Sequence, residues 1–168
     1  MNSEPRTPNP ELRTKLSYNF RRGEAKDRAL LIKFLRHTYK DLFPHQKSFV
    51  HLIKTVDDYF NLETPLWWVE TNENESDRNI QIACLWMGNA IDQVCGDRYS
   101  HIFLLYVVPK YRHQGIGTAL MNKAISYAKK RGDEKIGLQV FTHNQTAMNI
   151  YQNLGFQTQS FLMFKSLF

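Results

Sequence analysis

The chain has 168 residues, 42% of them hydrophobic and 13% aromatic, enough for one domain with a full core and no cross-links. Its net charge of +6 is spread over short clusters (Arg21-Arg22, Lys110 to Arg112, Lys129 to Arg131). That pattern reads as solvated surface with an attraction for a polyanionic ligand, and it disfavours nucleic-acid binding. Cys84 and Cys95 form neither a metal spacing nor a disulfide framework, and no window approaches the ~18 apolar residues of a membrane span. These features point to a cytoplasmic protein with no metal and no membrane partner.

Residues 1–15 are Pro-rich without an apolar stretch and are expected to be a flexible tail; 16–168 form a single domain. Leu16 to Arg21 alternates weakly and is expected to be a strand. Asp27 to Tyr39 reads as a helix with Leu31, Phe34, Leu35 and Thr38 on one side. A second helix is expected after Pro44, running to about Phe60 with Phe49, Leu52, Ile53, Val56 and Phe60 as its stripe. Strands Leu66 to Thr71 and Ile80 to Ala90 follow, joined by the polar turn NENESDR. The run Ile102 to Val108 is unbroken, apolar and closed by Pro109, which suits an interior strand covered on both faces.

Beyond it, Ile116, Leu120, Ala124 and Ala128 recur at helical spacing, widened by Met121 and Ile125. Lys129, Lys130 and Arg131 complement the end of that helix, and Gly132 stops it. A strand is expected over Lys135 to Phe141. A helix capped by Asn144 comes next, with Ala147, Ile150, Tyr151 and Leu154 inward and Gly155 as a left-handed stop. A final pair of strands is expected over Gln157 to Phe168. Adjacent strands in the first half imply antiparallel pairing, and alternation in the second half implies parallel pairing.

Chemistry concentrates between Val108 and Leu120. A strand there delivers the backbone to a helix N-terminus, where unpaired N–H groups and the helix dipole favour an anion. Gly115 and Gly117 clear side chains from that point, and Arg112 and His113 add donors. A phosphate cradle and a tight turn that simply needs glycine both stand open on the loop alone. A P-loop is excluded because Ile116-Gly117-Thr118 lacks its lysine. A dinucleotide fingerprint is excluded by Leu120 at its third small position, and by Asp133 and Glu134 preceding the next strand instead of following it.

Arg112-x-x-Gly115-x-Gly117, directly after Leu105-Tyr106-Val107-Val108-Pro109, resembles the pyrophosphate-binding signature of the GNAT family of N-acetyltransferases. A second block, Asn144-x-x-Ala147-x-x-x-Tyr151-x-x-x-Gly155-Phe156, follows in the family's order. The resemblance implies an α/β fold, with a mixed, mostly antiparallel sheet splayed at the cofactor site and about four helices. It implies transfer of an acetyl group from acetyl-CoA to a primary amine by direct attack in a ternary complex. On it, Arg112, His113, Gln114, Gly115, Ile116, Gly117 and Thr118 hold the diphosphate. The backbone of Leu105, Tyr106 and Val107 lines the thioester at a strand bulge. Asn144 contacts the pantetheine arm, and Tyr151 is the general acid for the leaving thiolate.

The general base stays open. Positions where relatives carry Glu are Phe103, Leu104 and Gln139, which take no proton, so His101, Glu70 and a relayed water remain, with His101 the assigned candidate. The acceptor is expected against the loop Tyr39 to His45 and the turn of the last strand pair, with Trp67, Trp68 and Trp86 as apolar walls or as core. No acidic cluster near that loop suits a polycation, so a small-molecule amine or a peptide or protein amine is expected. A homodimer stands open, as does a second reading of the chain as a non-catalytic acyl-CoA-binding domain.

Overall fold

The computed structural model describes residues 16–72 and 79–167. The expected tail, most of the turn NENESDR and Phe168 lie outside the described residues. The wholly buried strand β2 (Leu66–Thr71) sits between β1 (Asn19–Arg22) and β3 (Ile80–Ile91), and β3 pairs in turn with β4 (Arg98–Val107), all antiparallel. The last strand, β5 (Ile136–Leu138), lies parallel to β4, so the sheet order is β1-β2-β3-β4-β5. Pairing is therefore antiparallel in the first half and parallel in the second, as the order of elements implied.

Two-residue periodicity splits the sheet's side chains between two cores. Trp68, Cys84, Trp86, Leu104 and Tyr106 face α1 (Arg28–Leu42) and α2 (His51–Tyr59), packing on Leu31, Phe34, Leu35, Leu52 and Val56. Trp67, Val69, Leu85, Met87 and Ile102 face α3 (Ile116–Lys130), packing on Ile116, Leu120, Met121 and Ala124. The three tryptophans are thus core residues, at most 6% exposed, and not walls of an acceptor site. The fourth helix, α4 (Gln145–Asn153), lies at the edge of the α3 core through Ile150, Tyr151 and Leu154.

Several boundaries differ from the sequence expectation. The second helix begins at His51, because residues after Pro44 spend their polar groups locally: Gln46 N–H donates to the Phe43 carbonyl and the Gln46 side chain to that of Ser48. Strand β5 ends at Leu138, three residues short, because its partner β4 turns away beyond Ile102. The expected final strand pair is not formed among the described residues: 157–167 carry no strand assignment and are exposed.

The bulge expected around Leu105 to Val107 lies at Phe103 instead. Trp86 pairs with Leu104 and Met87 with Ile102, leaving Phe103 as the extra residue. Its ring packs on Trp86 at 4.8 Å and on Tyr59 at 5.1 Å. It occupies the space beside Gly88, where an added Cβ would fall 2.0 Å from the Phe103 ring. Gly88→Ala is expected to cost about 2 kcal/mol, the usual penalty for overpacking a well-filled site. Urea denaturation measures this, and an unchanged midpoint would show that Phe103 moves aside freely.

A buried polar knot ties the far end of α3 to the sheet. The Asp133 carboxylate accepts from the Arg131 guanidinium at 2.5 Å and the Ser100 hydroxyl at 2.5 Å, and from Arg98 at 3.2 Å. Arg131 also donates to Asn89 on β3. The far end of the helix that carries the glycine loop is thereby fixed to β3 and β4.

Candidate active site

β4 and β5 pair only through Ser100, His101 and Ile102, opposite Ile136, Gly137 and Leu138. Leu105, Tyr106 and Val107 continue to pair with β3 on one side, while among the described residues no strand pairs with them on the β5 side. Pairing of the two parallel strands thus stops at Ile102, one residue before the bulge at Phe103, and β4 runs on to Val107 and the turn that leads into the glycine loop.

That loop is shaped by two left-handed residues, His113 (φ 62°) and Gly115 (φ 79°), the latter serving as N-cap of α3. A residue with a Cβ is strained in this region, a cost that His113 bears and Gly115 avoids. Gly117 is different. Its φ is not left-handed, and an added Cβ would meet Ile150 at 3.4 Å and Val107 at 4.0 Å, which are ordinary contacts. Packing alone does not demand glycine there.

The amides of Ile116, Gly117 and Thr118 have no helical acceptor, and among the described residues no other group takes them. The first helical bond of α3 is Ala119 N–H to the Gly115 carbonyl. Three donors therefore converge at the positive end of a 15-residue helix.

Arg112 is anchored beside them. Its Nε donates to the Val107 carbonyl at 2.9 Å, another guanidinium nitrogen to Asp41 at 2.6 Å, and its plane lies over the Tyr106 ring. The end of α1 is thereby pinned to the loop. Two aromatic contacts close the same side: Phe43 meets Phe141 at 4.8 Å and His143 at 5.4 Å. Phe141 and His143 were not singled out by motif; their signal was aromatic residues immediately before the Asn144 cap.

Asn144 caps α4, its side chain accepting from Ala147 N–H at 3.3 Å. Ile150 touches the Gly117 position, so α4 lies against the head of α3. The next residue, Tyr151, packs in the α3 core with Phe156, and no described residue bonds its hydroxyl. Burial pushes that phenol up to about 12. It holds its proton throughout the neutral range.

His101 lies on β4, two residues before the bulge, stacked edge-on against Phe103 at 5.1 Å and flanked by Tyr99. Its Nδ1 is buried with no partner, and burial lowers its pKa, so the ring is neutral near pH 7. Glu70 is otherwise engaged. It is buried on β2, accepting from Arg21 at 2.6 Å and Gln81 at 3.0 Å, and its charge serves that ion pair.

Residues 32–156 match the family model for the acetyltransferase (GNAT) family. The chain belongs to the GNAT family. An uncharacterized N-acetyltransferase of Methanocaldococcus jannaschii is 42% identical over 74 residues, covering 44% of this chain and 31% of that protein. The uncharacterized N-acetyltransferase YycN of Bacillus subtilis is 31% identical over 109 residues, covering 63% of this chain and 65% of that protein. This chain thus matches 31% and 65% of the lengths of these two relatives. The fold matches the crystal structure of a "predicted acetyltransferase with acetyl-CoA" from Clostridium acetobutylicum, with a TM-score of 0.72 at 20% identity over 90% of this chain and 97% of that one. The five-stranded mixed sheet with helices on both faces is the GNAT architecture. No helix among the described residues is long and apolar enough to cross a membrane.

Proposed function

We propose that this GNAT chain moves an acetyl group from acetyl-CoA to a primary amine by direct attack in a ternary complex. The observation that carries this reading is the set of three unclaimed amides, Ile116 to Thr118, at the head of α3 beside a glycine that packing does not require. A diphosphate is the ligand whose oxygens and charge fit that site. When bound, acetyl-CoA supplies an activated thioester. Arg112, His113, Gln114, Gly115, Ile116, Gly117 and Thr118 form the anion cradle. Leu105, Tyr106 and Val107 would line the thioester, with the Val107 carbonyl already held by Arg112, and Asn144 stands at the α4 end.

The remaining chemistry falls to side chains. A primary amine, with pKa near ~10, must shed a proton before it attacks. His101, neutral and unpartnered at Nδ1, is the base this chain offers near the bulge. Tyr151 donates a hydrogen bond to the departing sulfur. A phenol near 12 is a weaker acid than an ordinary thiol near ~8.5, so the hydrogen bond, and not complete proton transfer, is what it contributes. The aromatic side built by Tyr39, Phe43, Phe141 and His143 faces an apolar amine or a peptide end better than a polycation.

The test is release of CoA thiol from acetyl-CoA with a panel of small-molecule amines and peptide N-termini. Amine-dependent release supports the transferase. Tight acetyl-CoA binding with no release for any amine, and no effect of Tyr151→Phe, would favour the binding-domain reading.

The role of His101 has its own check. Only the neutral ring accepts a proton, so turnover is expected at neutral pH and is lost as pH falls through a pKa below the usual value near 6.5. His101→Ala should remove that acid limb and lower kcat by about 100-fold. An unchanged limb in the variant would remove His101 from the mechanism.

A further inference from the structure

Among the described residues β4 and β5 pair only as far as Ile102 and Leu138. Yet the loop that follows β4 and the connection from β5 to α4 both touch the last turn of α1. Spacing along the helix explains how one turn reaches two places. Residues four apart on a helix share a side, and residues two apart point away from each other. His37 and Asp41 form one pair. The His37 ring lies 6.3 Å from that of Tyr106, and the Asp41 carboxylate accepts from the Tyr106 hydroxyl at 3.4 Å and from Arg112 at 2.6 Å. Tyr39 and Phe43 form the other pair. Their rings lie 6.3 Å and 4.8 Å from that of Phe141, and Phe43 also meets His143 at 5.4 Å. The Phe43 N–H donates to the Tyr39 carbonyl at 2.8 Å, so both faces belong to one closed turn.

Each end of this bridge meets a segment whose shape needs support. His113 (φ 62°) is left-handed although it carries a Cβ, and such a conformation persists where its surroundings fix it. Its neighbour Arg112 is held by the Val107 carbonyl, the Tyr106 ring and Asp41. Of these three, Asp41 alone comes from a distant part of the chain. Charge does not explain it, because a carboxylate this near a site for a polyanion works against binding. At the other end, His143 directly precedes Asn144, whose side chain caps α4.

We propose that the last turn of α1 is a strap that holds the glycine loop and the β5–α4 connection in fixed relation, with Asp41 and Phe43 as its positioning residues. Its consequence for acetyl-CoA rests on the function proposed above; the mechanical link does not.

Asp41→Ala and Phe43→Ala each release one end of the strap. Residue-resolved hydrogen exchange on the free chain tests the link, and its signature is crosswise. Asp41→Ala is expected to speed exchange at Asn144 and Gln145, whose amides bond the Phe141 and His143 carbonyls, by about fivefold. Phe43→Ala is expected to do the same at Tyr111 and Arg112, whose amides bond the Val108 and Pro109 carbonyls. Asp41→Asn and Phe43→Leu are milder at the same positions and should give the same crosswise pattern with smaller shifts. Changes confined to the near end in every variant overturn the strap.

Calorimetric titration with acetyl-CoA reads the consequence. Each alanine variant is expected to bind about fivefold more weakly, and the double variant no more weakly than the worse single one, since release at either end is release. Binding by Asp41→Ala as tight as the parent's, or tighter, would leave Asp41 only its charge and overturn the positioning role, as would additive losses. A parent chain that binds no acetyl-CoA contradicts the proposed function instead, and the crosswise exchange then decides the strap.

Discussion

Tyr151→Phe is expected to lower kcat by about 10²- to 10³-fold, with the dissociation constant for acetyl-CoA nearly unchanged. The hydroxyl has no bonding partner among the described residues and sits against an apolar core, where burial holds its proton firmly. Removing the hydroxyl takes away no internal hydrogen bond, so thermal stability should hold or rise. On the proposed role the loss falls on turnover alone, because the hydroxyl would act only as negative charge develops on sulfur. Steady-state kinetics together with a binding isotherm separate these terms. Equal losses in affinity and turnover would mean that Tyr151 shapes the cofactor site without assisting departure of the thiolate.

The second large effect concerns the frame behind the site. Asp133→Asn is expected to cost about 3 kcal/mol of folding stability at neutral pH, as breaking one member of a buried ion pair usually does. Its side chain is 1% exposed, and both Arg131 and Ser100 depend on it. Burial by itself would raise the Asp133 pKa, but hydrogen bonds from Arg131 and Ser100 and the nearby arginine charges outweigh it, so the net shift is downward. A lowered carboxyl pKa gives stability that is complete above the ordinary carboxylate range. That stability is lost as pH falls through the lowered value. The gap between the two proteins should thus be widest at neutral pH and close in strong acid. Urea titrations at several pH values report it, and a gap independent of pH would assign the cost to packing. Because this knot fixes α3 to β3 and β4, residual activity of the variant should fall with temperature sooner than that of the parent.

The run Ile102 to Val108 and the stripe from Ile116 to Ala128 made β4 and α3 legible in the sequence, since each is a local pattern. The glycine loop and the Asn144 cap were legible because each needs a residue type for a local reason: left-handed backbone at Gly115, and an acceptor at Asn144. The bulge was not. Its position depends on Phe103 finding room beside Gly88 on a neighbouring strand, a contact between residues 15 positions apart that no local pattern records. The anchoring of Arg112 by Asp41, 71 residues away, was hidden for the same reason. The segment 157–167 has the composition of a strand yet pairs with no strand among the described residues. Strand propensity speaks of a surface to be covered and not of what covers it.

The most direct test of the cradle is calorimetric titration with acetyl-CoA of the parent chain and of Gly117→Ala. Alanine is a better helix former than glycine by about 1 kcal/mol, and its Cβ would meet only ordinary contacts at Ile150 and Val107. The variant should therefore be at least as stable as the parent. On the proposed cradle it should nonetheless bind acetyl-CoA more weakly by about tenfold or more, because the methyl would hinder the diphosphate's approach to the backbone amides. Micromolar binding by the parent and this loss in a fully folded variant is the expected result. No binding of acetyl-CoA by the parent, or equal binding by both proteins, would contradict the assignment of the α3 amides as the cofactor cradle.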